Sequence, residues 1–177
     1  MSRISQTIDV DVPVRIAYDQ WTQFESFPKF MDGVDKVVQV DDTTTDWTAS
    51  IAGRTKQWRA RIEEQQPDEL VSWRSISGAR NDGRVEFESL GPTRSRVSLE
   101  LDVEPDGAIE TAGDALGIVE GRVKGDLERF KAFIEGRQVA TGAWRGEVEA
   151  GHEVASGDPD SGSGRFVSHD EVRGTER

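Results

Sequence analysis

The stretch Ile109-Glu-Thr-Ala-Gly-Asp-Ala-Leu-Gly-Ile-Val-Glu-Gly-Arg-Val-Lys-Gly-Asp-Leu-Glu-Arg-Phe-Lys-Ala-Phe-Ile-Glu135 decides the fold. Within it Leu116, Val119, Val123, Leu127, Phe130 and Ile134 recur at steps of three and four. That period places all six on one stripe of an α-helix. Glu120, Arg122, Lys124, Glu128, Arg129 and Lys131 fall on the other side. A helix with one apolar stripe must bury it against a second layer. Everything before it reads as short alternating strands, so the expected partner is a sheet that wraps the helix.

The same stretch carries Gly113, Gly117, Gly121 and Gly125 at successive steps of four. Each interior glycine costs a helix about 1 kcal/mol relative to alanine. At about 100° per residue this ridge lies well away from the centre of the apolar stripe. Two readings stay open. The first half of the helix is weak, kinked or pressed against a loop. Or it is a movable gate, or a ridge where a second helix comes close.

The clearest strand precedes the helix, from Thr93 to Val103, with Val97, Leu99, Leu101 and Val103 facing one way and Ser98, Glu100 and Asp102 the other. Earlier segments repeat the pattern: Val34 to Val40, Asp46 to Ala52, Thr55 to Ile62, Leu70 to Ser77 and Arg84 to Leu90. Alternation of this kind indicates an antiparallel sheet with one wet face. Short turns at Asp41-Asp42-Thr43, Gly53, Gln66-Pro67-Asp68 and Gly91-Pro92 indicate sequential hairpins, and Gly78 to Gly83 reads as a polar loop.

At the start, Ile4, Ile8, Val10 and Val12 keep a period of two. Pro13 then suits the first position of a short helix, whose apolar face is Val14, Ala17, Tyr18 and Trp21. Phe24, Phe27, Phe30 and Met31 follow, with Pro28 among them, which predicts a second, broken helical turn.

Length and composition bound the function. A chain of 177 residues allows one ordinary domain with a tail. There is no cysteine, so disulfides, thiolate nucleophiles and cysteine metal sites are excluded. The formal net charge of −12 disfavours nucleic acid and anionic membranes as partners. No apolar run has the length of a membrane span, so stable insertion is not expected and a cytoplasmic location is. Beyond Gly136 the sequence turns rich in Gly, Ser, Asp and Glu. The division read from this is a packed domain over 1–136 and an acidic, largely disordered tail over 137–177. Within that tail Thr141 to Val148, carrying Trp144, either folds back onto the domain or is exposed.

Strand, two short helices, a run of six strands and one long helix form an order that resembles the helix-grip fold of the START/Bet v 1 (SRPBCC) superfamily. The resemblance is carried by Val10-Asp11-Val12-Pro13 with Trp21 and Phe24-Glu25-Ser26-Phe27-Pro28-Lys29-Phe30-Met31. Val71-Ser72-Trp73-Arg74-Ser75 and Asp126-Leu127-Glu128-Arg129-Phe130-Lys131-Ala132-Phe133-Ile134-Glu135 carry the rest. These stretches look like the bacterial polyketide cyclase/dehydrase and coenzyme-Q-binding branch. The fold class it implies is α+β: a curved antiparallel sheet of about seven strands gripping the long C-terminal helix, with a cavity between them.

The faces assigned inward then supply a ligand-binding set. Trp47, Trp58, Trp73 and Phe87 come from the sheet, Phe24, Phe27 and Met31 from the short-helix segment, and Leu116, Val119 and Val123 from the long helix. An aromatic, apolar cavity suits a hydrophobic small molecule such as a polyketide, quinone or lipid. The alternative is a closed core. The only histidines, His152 and His169, lie in the tail, so imidazole acid–base chemistry and a histidine metal site are not expected in the domain. Neither a metal nor a cofactor is called for. Tyr18, Ser75, Arg54, Arg74 and Arg84 remain as polar candidates, without an assigned catalytic residue. Three functions stay open: small-molecule binding with polyketide cyclase/dehydrase activity, non-catalytic carriage of a quinone or isoprenoid lipid, and a protein-interaction module like the ribosome-associated toxin relatives of the fold. The oligomeric state is left open.

Overall fold

The structure, a computed structural model, describes the backbone of residues 2–51, 53–104, 112–155 and 167–168, and the side chains of these except 2, 51, 112–116, 155, 167 and 168. Strand β1 (Ser2–Val10) leads into helix α1 (Val14–Trp21) and a 3-10 turn (Phe24–Lys29) with Pro28 inside it. Six strands follow: β2 (Val34–Asp41), β3 (Thr44–Ile51), β4 (Arg54–Gln66), β5 (Leu70–Gly78), β6 (Asn81–Gly91) and β7 (Arg94–Val103). Helix α2 (Ala112–Arg137) comes next. The sheet order is β1-β7-β6-β5-β4-β3-β2, every neighbour antiparallel. Sequential hairpins account for all of it except β1, which crosses over to pair with β7.

The alternation expected from sequence is what buries the sheet face. Val97 and Leu99 on β7, Val85 and Phe87 on β6, and Trp58, Ala60 and Ile62 on β4 are buried, while their intervening polar residues face outward. From α2, Val123, Leu127, Phe130 and Ile134 close the core. Phe130 meets the rings of Trp21 and Phe30 edge-on, each at 5.4 Å. Such pairs add about 0.5–1.5 kcal/mol beyond their buried area. The 26-residue α2 runs without a break, and a Cβ added at Gly117 or Gly121 would meet nothing within 4 Å. Neither glycine is pressed against a loop. Gly113 lies outside the described side chains.

Two expectations need correction. The polar loop read from Gly78 to Gly83 is only Ala79-Arg80, since β6 already begins at Asn81. Gly83 is therefore a strand residue, and its register partner is Trp73. A Cβ there would overlap the Trp73 indole, so glycine serves close approach, not turning.

The second is the boundary at 136. Residues 140–155 pack onto the domain through β8 (Gly142–Ala143), β9 (Glu147–Glu149) and β10 (His152–Ala155), and β8 also pairs with β11 (Val167–Ser168). Trp144 and Val148 are fully buried. The physical reason lies in β4. Its partner β3 ends its pairing at Arg61, leaving the far end of β4 with a bare edge, and Val148 of β9 pairs there with Gln65. Polar groups fix the segment. Gln20 and Thr141 exchange hydrogen bonds of 2.9 and 3.1 Å, Thr22 Oγ1 accepts from the Trp144 N–H, and Arg145 reaches both Asp19 (2.6 Å) and Asp68 (2.9 Å).

Candidate functional site

A cavity of about 140 Å³ lies between the concave face of the sheet and the middle of α2. Its floor is a cross-strand pair. Trp47 on β3 sits opposite Trp58 on β4, and their rings stack 5.6 Å apart with an interplanar angle of 7°. Trp73 on β5 extends this platform, held by its Nε1–H donating to Asn81 Oδ1 at 3.1 Å. Val119, Val123 and Leu127 form the opposite wall, and Phe27 and Met31 close a third side.

Of the ten residues proposed from sequence, Phe27, Met31, Trp47, Trp58, Trp73, Val119 and Val123 line this cavity. Phe24 lines a smaller neighbouring void of about 20 Å³ behind Phe27 and Trp47. Phe87 lines neither; it is packed edge-on against Tyr18 (5.3 Å) and Trp21 (6.2 Å) in the closed core. Leu116 lies outside the described side chains.

Sequence reading missed the polar members, Arg122, Asp126 and Asn81, together with Trp21 and Leu99. Arg122 was placed on the polar side of the helix. At about 100° per residue, Asp126 sits only about 60° from the centre of the apolar stripe and Arg122 about 100°. Both nevertheless line the cavity. The angular position was the available signal.

Arg122 and Asp126 belong to a small polar network. Arg122 Nη1 donates to the Ser50 carbonyl at 2.9 Å, bridging α2 to β3. Gly33 makes this possible, since a Cβ there would overlap the guanidinium. Asp126 Oδ1 accepts from the Asp32 N–H at 3.1 Å and from Arg129 Nη2, and Arg129 Nε donates to the Phe30 carbonyl. Burial raises the Asp126 carboxyl above the usual carboxylate range, opposed by the Arg129 and Asp32 hydrogen bonds and the Arg129 and Arg122 charges.

Four indoles line the cavity. Trp47 Nε1–H donates to Thr45 Oγ1 at 2.8 Å and Trp73 to Asn81. The Nε1–H groups of Trp21 and Trp58 are buried without a hydrogen-bond partner among the described residues. A buried unpaired donor costs about 1–3 kcal/mol.

None of the other polar candidates lines the cavity. Ser75 Oγ donates to Asp82, Arg74 pairs with Glu63 and Arg84 with Glu86 on the outer face, Arg54 is exposed, and the buried Tyr18 hydroxyl has its pKa raised by burial. His152 is exposed on β10; His169 lies outside the described residues. Among the described residues no group of three or more His, Cys, Asp or Glu could hold a metal ion, and no helix is long and apolar enough to cross a membrane.

Comparison with known proteins agrees with this architecture. The profile of the family described as "Polyketide cyclase / dehydrase and lipid transport" matches residues 10–132. An uncharacterized 17.2 kDa protein of Streptomyces lincolnensis, from the melC2-rnhH intergenic region, is 49% identical over 149 residues, covering 84% of this chain and 99% of that protein. A START superfamily protein from Mycobacterium smegmatis superposes with a TM-score of 0.61 at 16% identity, covering 76% of this chain and 95% of that one. The Zhui aromatase/cyclase from Streptomyces sp. R1128 gives 0.60 at 14% identity over 77% and 93%. At such identities the solved structures speak to the fold alone. The sequence match over residues 10–132 places this chain in the polyketide cyclase/dehydrase and lipid transport family, and the solved structures share its helix-grip fold.

Proposed function

We propose that this protein binds a hydrophobic or aromatic small molecule in the cavity between the sheet and α2. The observation that carries the reading is the stacked Trp47–Trp58 pair with Trp73 as one wall of a cavity closed by aliphatic side chains of α2. Such a site is concave, largely apolar and supplied with a few converging polar groups, as small-molecule sites are. Its volume sets the scale. An apolar cavity of about 150 Å³ takes one benzene ring, so about 140 Å³ encloses one ring. The rest of a longer polyketide, quinone or lipid would lie outside the mouth.

Native mass spectrometry of the purified protein, with organic extraction of what travels with it, tests this. A stoichiometric small molecule is expected, lost in Trp58→Ala. A clean apo mass, joined to no uptake of small aromatics added in excess, would refute the reading.

Cyclase or dehydrase chemistry is the second reading, favoured by Asp126. Its carboxyl lines the cavity and has its pKa raised by burial, the property expected of a group that holds and returns a proton. Conversion of a poly-β-ketone by the wild type and its loss in Asp126→Asn would support it. Absence of turnover by a protein that binds the same compound would leave a carrier.

A further inference from the structure

We infer that the cavity selects a small aromatic carboxylate, with Arg122 as the residue that recognises the carboxylate and the Trp47–Trp58 stack as the platform for the ring. The inference rests on the cavity being a ligand site and adds the chemistry of its occupant.

Two observations converge. The first is a cationic side chain on a lining that is aromatic and aliphatic apart from Asn81 and Asp126. Arg122 lines the cavity, and its guanidinium donates to a neutral carbonyl, that of Ser50. A guanidinium presents five N–H donors in a planar fork that fits a carboxylate with two parallel bonds. One nitrogen on Ser50 leaves the rest of the fork available.

The second is size. The enclosed volume holds one ring, and Arg122 stands in the wall around it, within reach of a substituent on that ring.

Asp126 is the group that opposes this assignment, since it lines the same cavity and is an acid. It is engaged by Arg129 and by the Asp32 amide, so partners other than Arg122 already balance part of its charge, although the Arg122 charge acts on it too. The chain carries a net charge of −12, which repels anions at long range. Selectivity for a carboxylate must therefore come from a local cation.

Benzoate and toluene are matched probes, similar in shape and differing in the carboxylate. Titration calorimetry of each against the full chain gives the test. The wild type should take benzoate at least about tenfold more tightly than toluene, the gain of one charge-assisted pair. Arg122→Gln should collapse the benzoate-to-toluene ratio, and Arg122→Lys should restore part of it. If toluene binds as well as benzoate, the carboxylate assignment fails while the cavity reading stands. If the preference survives in Arg122→Gln, Arg122 is not its source and the inference fails. If neither probe binds, the cavity reading itself falls and takes the inference with it.

Discussion

Single residues in this structure do work that their type alone does not announce, and Gly83 shows it best. It stands opposite Trp73, and a Cβ would overlap both that indole and the Leu101 side chain. Gly83→Ala should destabilise the protein by about 1–3 kcal/mol, as overpacking a filled site does. It should also tilt Trp73 into the cavity. Chemical denaturation and a toluene titration measure the two effects. An unchanged midpoint would mean that Trp73 does not lie against β6. The sequence placed Trp73 on the inner face correctly, because alternation fixes which way a strand residue points. It misread Gly83 as a turn residue, because close approach and turning both call for glycine and only the pairing register separates them. Arg122 and Asp126 escaped for a related reason. Binary reading of a helix assigns each position to a polar or an apolar side, whereas the cavity sits on the border between the two.

At the scale of elements, α2 combines a buried stripe with an exposed glycine ridge. Gly117 and Gly121 are exposed, within a continuous helix, and open to space where a Cβ would stand. Replacing each with alanine should stabilise the protein, by up to about 1 kcal/mol per site. Thermal melting of Gly117→Ala, Gly121→Ala and the double variant checks this. A loss of stability would mean that the ridge packs against something, or that the helix needs its glycines to bend. The apolar stripe itself was legible, since Val123, Leu127, Phe130 and Ile134 are all buried. Strand β4 was legible only in part. Trp58, Ala60 and Ile62 alternate as read, but the register shifts between Ile62 and Glu64 and turns Gln65 inward. No composition rule marks a bulge of that kind.

For the molecule as a whole, the segment after α2 is part of the core. Trp144 is fully buried, and Arg145 ties Asp19 of α1 to Asp68 of the β4–β5 turn while lying over the Tyr18 ring at 5.5 Å. Trp144→Ala should cost about 3–5 kcal/mol, the usual range for removing a large buried aromatic. Urea denaturation of this variant measures the loss; a cost within experimental error would show that the segment is a loosely laid strap. The sequence left this docking open because its determinants are non-local. Gln20 and Asp19 read as polar residues of a short helix, and nothing nearby predicts that residues 120 positions or more further on will satisfy them. The same holds for β4, whose bare edge exists only because β3 is shorter.

The central claim is that the space between the sheet and α2 is a ligand site sized for one aromatic ring. A crystal soaked with bromobenzene, read by anomalous scattering from bromine, tests it most directly. One ordered bromine is expected between the Trp47–Trp58 stack and the Val119–Val123 wall. Bromine found only outside that cavity, or side chains closed over it with no ligand bound, would contradict it.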